Sequence, residues 1–116
     1  MSAETQNGIH ATWHARDRFH DRASDPADSV LAAWRDGEPL AMPEEAPLPH
    51  NDELRYDRVS DVVVCRRNEE LTTVCGLTPE CISNIHGVAV AAAVDAQFGT
   101  DYRSGIHAAN LEKVNR

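Results

Sequence analysis

Three segments in the second half of the chain show the two-residue periodicity of β-strands, and this feature constrains the fold most strongly. ELRYD (53–57), DVVVCRR (61–67) and LTTVCGL (71–77) are rich in β-branched and aromatic residues, which favour a pleated, half-buried surface. The gaps at 58–60 and 68–70 are short and suit hairpin loops. The sequence therefore predicts an antiparallel meander of three strands.

A helical pattern precedes the meander. Thr12 has the residue type of an N-cap, and Trp13 and Phe19 are predicted to belong to the apolar stripe of a helix over residues 12–23. Large aromatic side chains dominate protein cores, so we expect Trp13, Phe19 and Trp34 to be core anchors.

Start and stop signals predict two further helices. Ser-Asp-Pro at 24–26 combines a capping residue with proline in the first turn, and Gly37 ends that segment. Thr-Pro-Glu at 78–80 gives a second start signal after the meander. It predicts a helix that runs from its proline to about Phe98 and ends at Gly99.

Helices beside a contiguous meander are typical of α+β proteins. We predict two N-terminal helices packed on an antiparallel three- to four-stranded meander, followed by a C-terminal helix. The fourth strand would be an edge strand at 40–42, because the four prolines of residues 38–52 exclude a central strand there. A chain of 116 residues has room for one core. We expect a mobile leader over 1–11, a single domain over 12–99 and a C-terminal tail over 100–116.

The chain is strongly acidic, and its cations are nearly all arginine. Nineteen Asp and Glu residues oppose 11 Lys and Arg, for a net charge of −8, and Lys113 is the only lysine. This composition favours adaptation to molar salt, in which charges are screened within about 3 Å; an acidic mesophilic protein is the alternative. The net charge argues against generic binding to a phosphate backbone, which needs clustered cations, but it allows a local basic patch.

Cysteine usage and the absence of long apolar runs predict a reduced protein of the cytoplasm, with no membrane contact. Cys65, Cys75 and Cys81 are odd in number, and no stretch resembles a signal peptide or a membrane span. Their spacing, with His86, does not match the close cysteine pairs of zinc sites, so we predict no metal. We expect no cofactor, because no Gly-rich phosphate loop occurs.

Residues 14–77 carry a resemblance to a known superfamily. The first helix reads His14-Ala-x-x-Arg18-Phe-x-x-Arg22, the second ends in Trp-Arg-Asp-Gly at 34–37, and the meander begins with Leu-Arg-Tyr-Asp at 54–57. This pattern resembles the RelE-like ribonuclease toxins, in particular the BrnT-like and related uncharacterised branches. The resemblance implies two helices against a small antiparallel sheet, ribonuclease activity that is often associated with the ribosome, and a partner antitoxin.

The resemblance also implies metal-independent cleavage by side chains on the concave sheet face. Carried over by position, it assigns cleavage to His14, Arg18, Arg55 and Tyr56, and RNA binding to Arg22, Arg66 and Arg67. Imidazole titrates near working pH and can act as a base, guanidinium groups hold phosphate bidentately, and a tyrosine can stack on a base. Arg66 and Arg67 are adjacent on a strand and face opposite sides, so only one of them can join a given site. The hypothesis requires His14, Arg18 and Arg55 to converge with that one.

Two functions remain open from the sequence. The first is a RelE-like protein that cuts RNA or binds RNA or the ribosome. The second is a non-catalytic interaction protein, accessory, viral or regulatory in role, that forms a homodimer through the Ala-rich helix at 79–98, because alanine permits close helix packing.

Overall fold

The computed structural model describes residues 5–6, 8–23, 29–42, 51–78, 81–82 and 85–105. The strands are β1 (Thr5–Gln6), β2 (Ile9–Ala11), β3 (Glu38–Leu40), β4 (Glu53–Asp57), β5 (Val62–Arg67) and β6 (Glu70–Gly76). The helices are α1 (Trp13–Arg22), α2 (Val30–Asp36) and α3 (Ile85–Phe98). A further helical turn covers residues 102–105.

One mixed sheet contains these six strands in the order β1-β2-β6-β5-β4-β3. Strands β3 to β6 form a continuous antiparallel meander. Strand β2 pairs in parallel with β6, with His10 opposite Glu70 and Ala11 opposite Leu71. The predicted α+β class is confirmed, with two helices before the meander and one after it. The sheet is wider than the predicted three to four strands, because β1 and β2 extend it beyond β6.

Residues 9–11, which we expected in the mobile leader, belong to the sheet. The His10 N–H donates to the Glu69 carbonyl at 3.0 Å, and the Thr12 N–H donates to the Leu71 carbonyl at 3.2 Å. Three residues are too few to show a two-residue period in the sequence. Their strand conformation depends on pairing with β6.

Side-chain caps fix the starts of the first two helices. The Thr12 hydroxyl accepts a hydrogen bond from the Ala15 N–H at 3.1 Å, as predicted for an N-cap. Helix α2 begins after Ser29, whose hydroxyl accepts from the Ala32 N–H at 3.1 Å. The start signal predicted at 24–26 lies outside the described residues.

Helix α3 ends where the sequence predicts and begins later than predicted. Its last residue is Phe98, and Gly99 follows with φ of +69°, a left-handed conformation that glycine adopts without strain. Its first residue is Ile85, although we expected the start at Pro79; residues 79–80 and 83–84 lie outside the described part of the chain.

The sheet carries a hydrophobic core on each face, because neighbouring residues of a strand point to opposite sides. The face that we call the α1–α2 face carries Val62, Val64, Leu71 and Val74, packed with Ala15, Phe19, Leu31 and Trp34 of the helices. The face that we call the α3 face carries Leu54, Tyr56, Val63 and Cys65, packed with Val90, Ala91 and Val94 of α3. Burial of one valine side chain contributes about 1.5–3 kcal/mol, so β5 stabilises both cores.

The prediction that Trp13 anchors the core is wrong. Its side chain is 71% exposed, whereas Phe19 and Trp34 are buried as predicted. Ala15 and Phe19, four residues apart, define the buried side of α1. Trp13 lies two residues before Ala15, about 200° around the helix axis, and therefore points outward.

The Ala-rich helix packs on its own sheet. Ala91 and Ala93 are buried, and they belong to the same core as Tyr56 of β4. A homodimer through this helix would have to use its outward side, where Val88 is 37% exposed. Homodimer formation stays a prediction.

Candidate functional site

Arg55 and Tyr56, both predicted to take part in cleavage, point to opposite faces of the sheet. They are adjacent on β4, and adjacent strand residues alternate between faces. Arg55 lies on the α1–α2 face, where its guanidinium carbon is 4.1 Å from the centroid of the Trp34 ring. Tyr56 lies on the α3 face and is 3% exposed. These two side chains do not meet in one site.

Arg55 fastens α2 to the meander. Its Nε donates to the Glu53 carboxylate at 2.8 Å, and its Nη1 donates to the Trp34 carbonyl oxygen at 3.0 Å. That carbonyl lies in the last turn of α2, where a cation also interacts favourably with the helix dipole. The stacking on Trp34 adds a cation–π contact. Arg55 therefore uses its Nε and Nη1 groups within the fold.

Arg66 joins Arg55 on the same face, because β4 and β5 pair with Glu53 opposite Arg66. Its Nη1 donates to the Asn68 carbonyl oxygen at 2.6 Å and lies 3.9 Å from the Asp52 carboxylate, and its Nη2 is 3.4 Å from Glu53. Two guanidinium groups thus share the Glu53 carboxylate, and Arg66 also lies near the Asp52 carboxylate. The cluster carries no surplus positive charge for a phosphate group.

Arg67 and Arg22, the other two arginines predicted to bind RNA, lie in different surroundings. Arg67 follows Arg66 at the end of β5 and is exposed. Arg22, at the end of α1, donates from Nη1 to the Val74 carbonyl oxygen at 2.8 Å. Arg22 therefore fastens α1 to β6 in the way that Arg55 fastens α2 to β4.

The two cleavage residues predicted on α1 lie on the outer part of the helix. His14 is exposed. The Arg18 guanidinium lies 3.8 Å from the carboxylate of Asp17 and 3.8 Å from that of Asp21, both on its own helix. Within the described residues, no hydrogen bond or ion pair joins His14 or Arg18 to Arg55. Of the predicted set, the described contacts bring together only Arg55 and Arg66.

A hydrogen-bond chain on the α3 face was not foreseen from the sequence. The Tyr56 and Tyr102 hydroxyls are 2.8 Å apart, and the Tyr102 hydroxyl donates to the Asp61 carboxylate. Burial, together with the hydrogen bonds to Asp61 and Tyr56, raises the pKa of Tyr102 well above its ordinary value. Tyr102 therefore keeps its proton to a higher pH than an exposed tyrosine does. The available signal was a lone aromatic residue in an otherwise polar tail.

Cys65 and Cys75 lie next to each other, and Cys81 contacts Thr78. Cys65 is buried on the α3 face, and a hydrogen bond to Cys75 and burial raise the pKa of its thiol well above the usual range. The Cys81 sulfur accepts from the Thr78 hydroxyl at 3.2 Å. No group of three or more His, Cys, Asp or Glu side chains suited to a metal ion occurs among the residues that the structure describes.

The fold and these contacts define an α+β domain in which arginines of the helix and the meander fasten two N-terminal helices to one sheet face. Residues 9–78, more than half of the chain, match the family model Halo_toxin, "Putative RelE superfamily toxin domain". The chain belongs to this family of the RelE toxin superfamily, which confirms the resemblance found in the sequence. No curated protein and no solved structure matches it.

The family match begins at β2 and ends just after β6. It includes both N-terminal helices and the whole meander, whereas α3 and the turn at 102–105 follow it. Among the described helices, none has the length and apolar character needed to cross a membrane.

Proposed function

We propose that this RelE-superfamily chain acts by binding a partner protein through the outer side of α1, and not by cleaving RNA with the residues predicted from the sequence. The observation that carries the proposal is the 71% exposure of Trp13 in the first turn of α1. Tryptophan is enriched among the residues that dominate binding energy at protein interfaces. A partner of the antitoxin class is consistent with membership of a toxin superfamily.

The contacts of the residues predicted to cleave or bind RNA support protein binding over RNA cleavage. Metal-independent cleavage needs cations that hold the phosphate as charge develops. Arg22 and Arg55 donate to carbonyl groups of the fold, and Arg66 is shared between a carbonyl group and two carboxylates. Tyr56 is buried beneath α3. Freeing these side chains for RNA would cost the contacts that hold the helices and the tail.

The charge of the chain supports a protein partner over a nucleic acid. The net charge of −8 opposes association with a phosphate backbone. On α1, Arg18 is balanced by Asp17 and Asp21. An aromatic side chain with charges of both signs around it suits a polypeptide surface better than a polyanion.

A pull-down with matched variants tests the proposal. Tagged wild-type chain, Trp13→Ala and Val59→Ala are expressed in the source cells and purified at molar KCl. Val59 is the matched control because it is 64% exposed and lies in the β4–β5 turn, away from α1. We expect one polypeptide to co-purify in stoichiometric amount with wild type and Val59→Ala and to be lost with Trp13→Ala. Equal recovery with all three chains, or recovery of RNA as the main species, would contradict the proposal.

RNA cleavage based on His14 is the second candidate, and its exposed position on α1 favours it. Purified wild type and His14→Ala are incubated with total RNA and with translating ribosomes. Cleavage that His14→Ala abolishes, together with a growth defect on expression of the wild type, would establish the second candidate in place of the first. RNA that stays intact with both proteins agrees with the binding function.

A further inference from the structure

The segment that follows the family match packs over one face of the matched domain. Residues Val90, Ala91 and Val94 of α3 are fully buried. They pack over the α3 face, which includes Tyr56 and Cys65. The α1–α2 face has its own separate core on the other side of the sheet. The two cores therefore share the strands of the sheet and differ in the helices that cover them.

The C-terminal end of α3 is held to the sheet edge by a polar contact. The Gln97 side-chain oxygen accepts from the Ala41 N–H at 2.9 Å, and its side-chain nitrogen donates to the Ala41 carbonyl at 2.6 Å. Ala41 follows β3, the edge strand of the sheet. The carboxamide thus pairs with the backbone of residue 41 much as an adjacent strand would.

The chain then turns back at Gly99, and Asp95 organises the helical turn that follows. Its carboxylate accepts from the Thr100 hydroxyl at 2.6 Å, the Tyr102 N–H at 2.8 Å and the Arg103 N–H at 2.9 Å. A side-chain oxygen that accepts from backbone N–H groups in this way caps the start of a helical turn. They place the Tyr102 side chain over the meander.

Tyr102 connects this helical turn to the meander. Its hydroxyl bonds to Asp61 in the β4–β5 turn and to Tyr56 on β4, and the Tyr56 and Tyr102 rings are 6.0 Å apart in an edge-to-face arrangement. Tyr102 is only partly buried, and its contacts with Asp61 and with the Tyr56 hydroxyl are polar and directional. Loss of the Tyr102 hydroxyl group therefore removes these hydrogen bonds and keeps the ring contact with Tyr56 and the apolar cores.

We propose that residues 99–105 form a latch. With Tyr102 bonded to Asp61 and Tyr56, α3 is held closed over the α3 face; without these two hydrogen bonds, α3 opens more often, as a unit, while the matched domain stays folded. Local opening of this kind is governed by the few contacts that hold the moving segment. The latch sets how often the face that carries Tyr56 and Cys65 is exposed, and this holds whether or not α1 binds a partner.

Thiol accessibility and hydrogen exchange test the latch. Cys65 is 2% exposed beneath α3, so a thiol reagent reaches it only after opening. Tyr102→Phe keeps the ring and removes the hydroxyl. We expect it to raise the rate of Cys65 alkylation about tenfold, as for an opening equilibrium that loses one hydrogen bond to a carboxylate. Amide exchange in α3 should accelerate by a similar factor, with exchange in α1 unchanged.

Ser29→Ala is the matched control, because it also removes one hydroxyl hydrogen bond but does so at the start of α2. It should leave Cys65 alkylation near the wild-type rate. Asp61→Asn is a second variant, since asparagine tolerates the φ of +55° at this position and keeps a weaker acceptor; it should raise Cys65 alkylation by a smaller factor. Unchanged Cys65 alkylation in Tyr102→Phe and Asp61→Asn would overturn the latch. So would acceleration of α1 exchange equal to that of α3, because the opening would then be global unfolding.

Discussion

Replacement of Arg55 by lysine distinguishes a structural arginine from one reserved for a phosphate group. The change keeps the positive charge near Glu53 and removes the planar guanidinium that stacks on Trp34 at 4.1 Å. It also removes the hydrogen bond from Nη1 to the Trp34 carbonyl at 3.0 Å. Arginine and lysine are not equivalent at a stacked, forked site of this kind.

The expected cost follows from the contacts that are lost. A cation–π contact at a partly exposed site contributes about 0.5–1 kcal/mol, and the hydrogen bond contributes about 0.5–1.5 kcal/mol. The side chains of Arg55 and Glu53 are each 28% exposed, and lysine keeps the positive charge of this ion pair, so we add no cost for it. We expect Arg55→Lys to lower the free energy of unfolding by about 1–2.5 kcal/mol and the Tm by about 4–10 °C.

Chemical and thermal unfolding followed by circular dichroism at molar KCl measures the effect. Arg67→Lys is the matched control, because Arg67 is exposed at the end of β5 and should change stability by less than about 0.5 kcal/mol. If Arg55→Lys is as stable as Arg67→Lys, the structural role assigned to Arg55 is refuted.

Three further predictions concern salt, pH and the two tryptophans. Raising KCl from about 0.1 M to about 2 M should raise the Tm in a thermal melt, because screening weakens repulsion in a chain of net charge −8; a constant or falling Tm would count against salt adaptation. The raised pKa of Tyr102 stabilises the fold fully below pH about 10. Above it the unfolded chain loses this phenolic proton first, so stability falls as pH rises, and unfolding titrations should show a shallower fall in Tyr102→Phe. Trp34→Ala should cost about 3–5 kcal/mol in urea unfolding, whereas Trp13→Ala should stay within about 0.5 kcal/mol of wild type because Trp13 is 71% exposed; equal losses would show that Trp13 is buried in solution.

Part of the candidate site could be predicted from the sequence, and part could not. The arginine-bearing helix and the Leu-Arg-Tyr-Asp strand indicated the superfamily correctly. Because successive side chains of a strand point to opposite faces, the sequence of β4 already implied that Arg55 and Tyr56 lie on different faces of the sheet. Which helix covers each face is decided by packing. Tyr102 lies 46 positions from Tyr56 along the chain, and no local pattern links residues at that separation.

The sequence by itself determined the local structure: the strands of the meander, the Thr12 cap, the ends of α2 and α3, and the α+β class. These depend on side-chain period, capping and turn residues, which act over a few positions and can be read directly. Only the tertiary structure decided that residues 9–11 pair with β6, that Trp13 is exposed, and that Arg22 and Arg55 donate to carbonyl groups that connect helices to the sheet. Such outcomes depend on which surfaces meet, because a side chain takes the partner that folding brings to it.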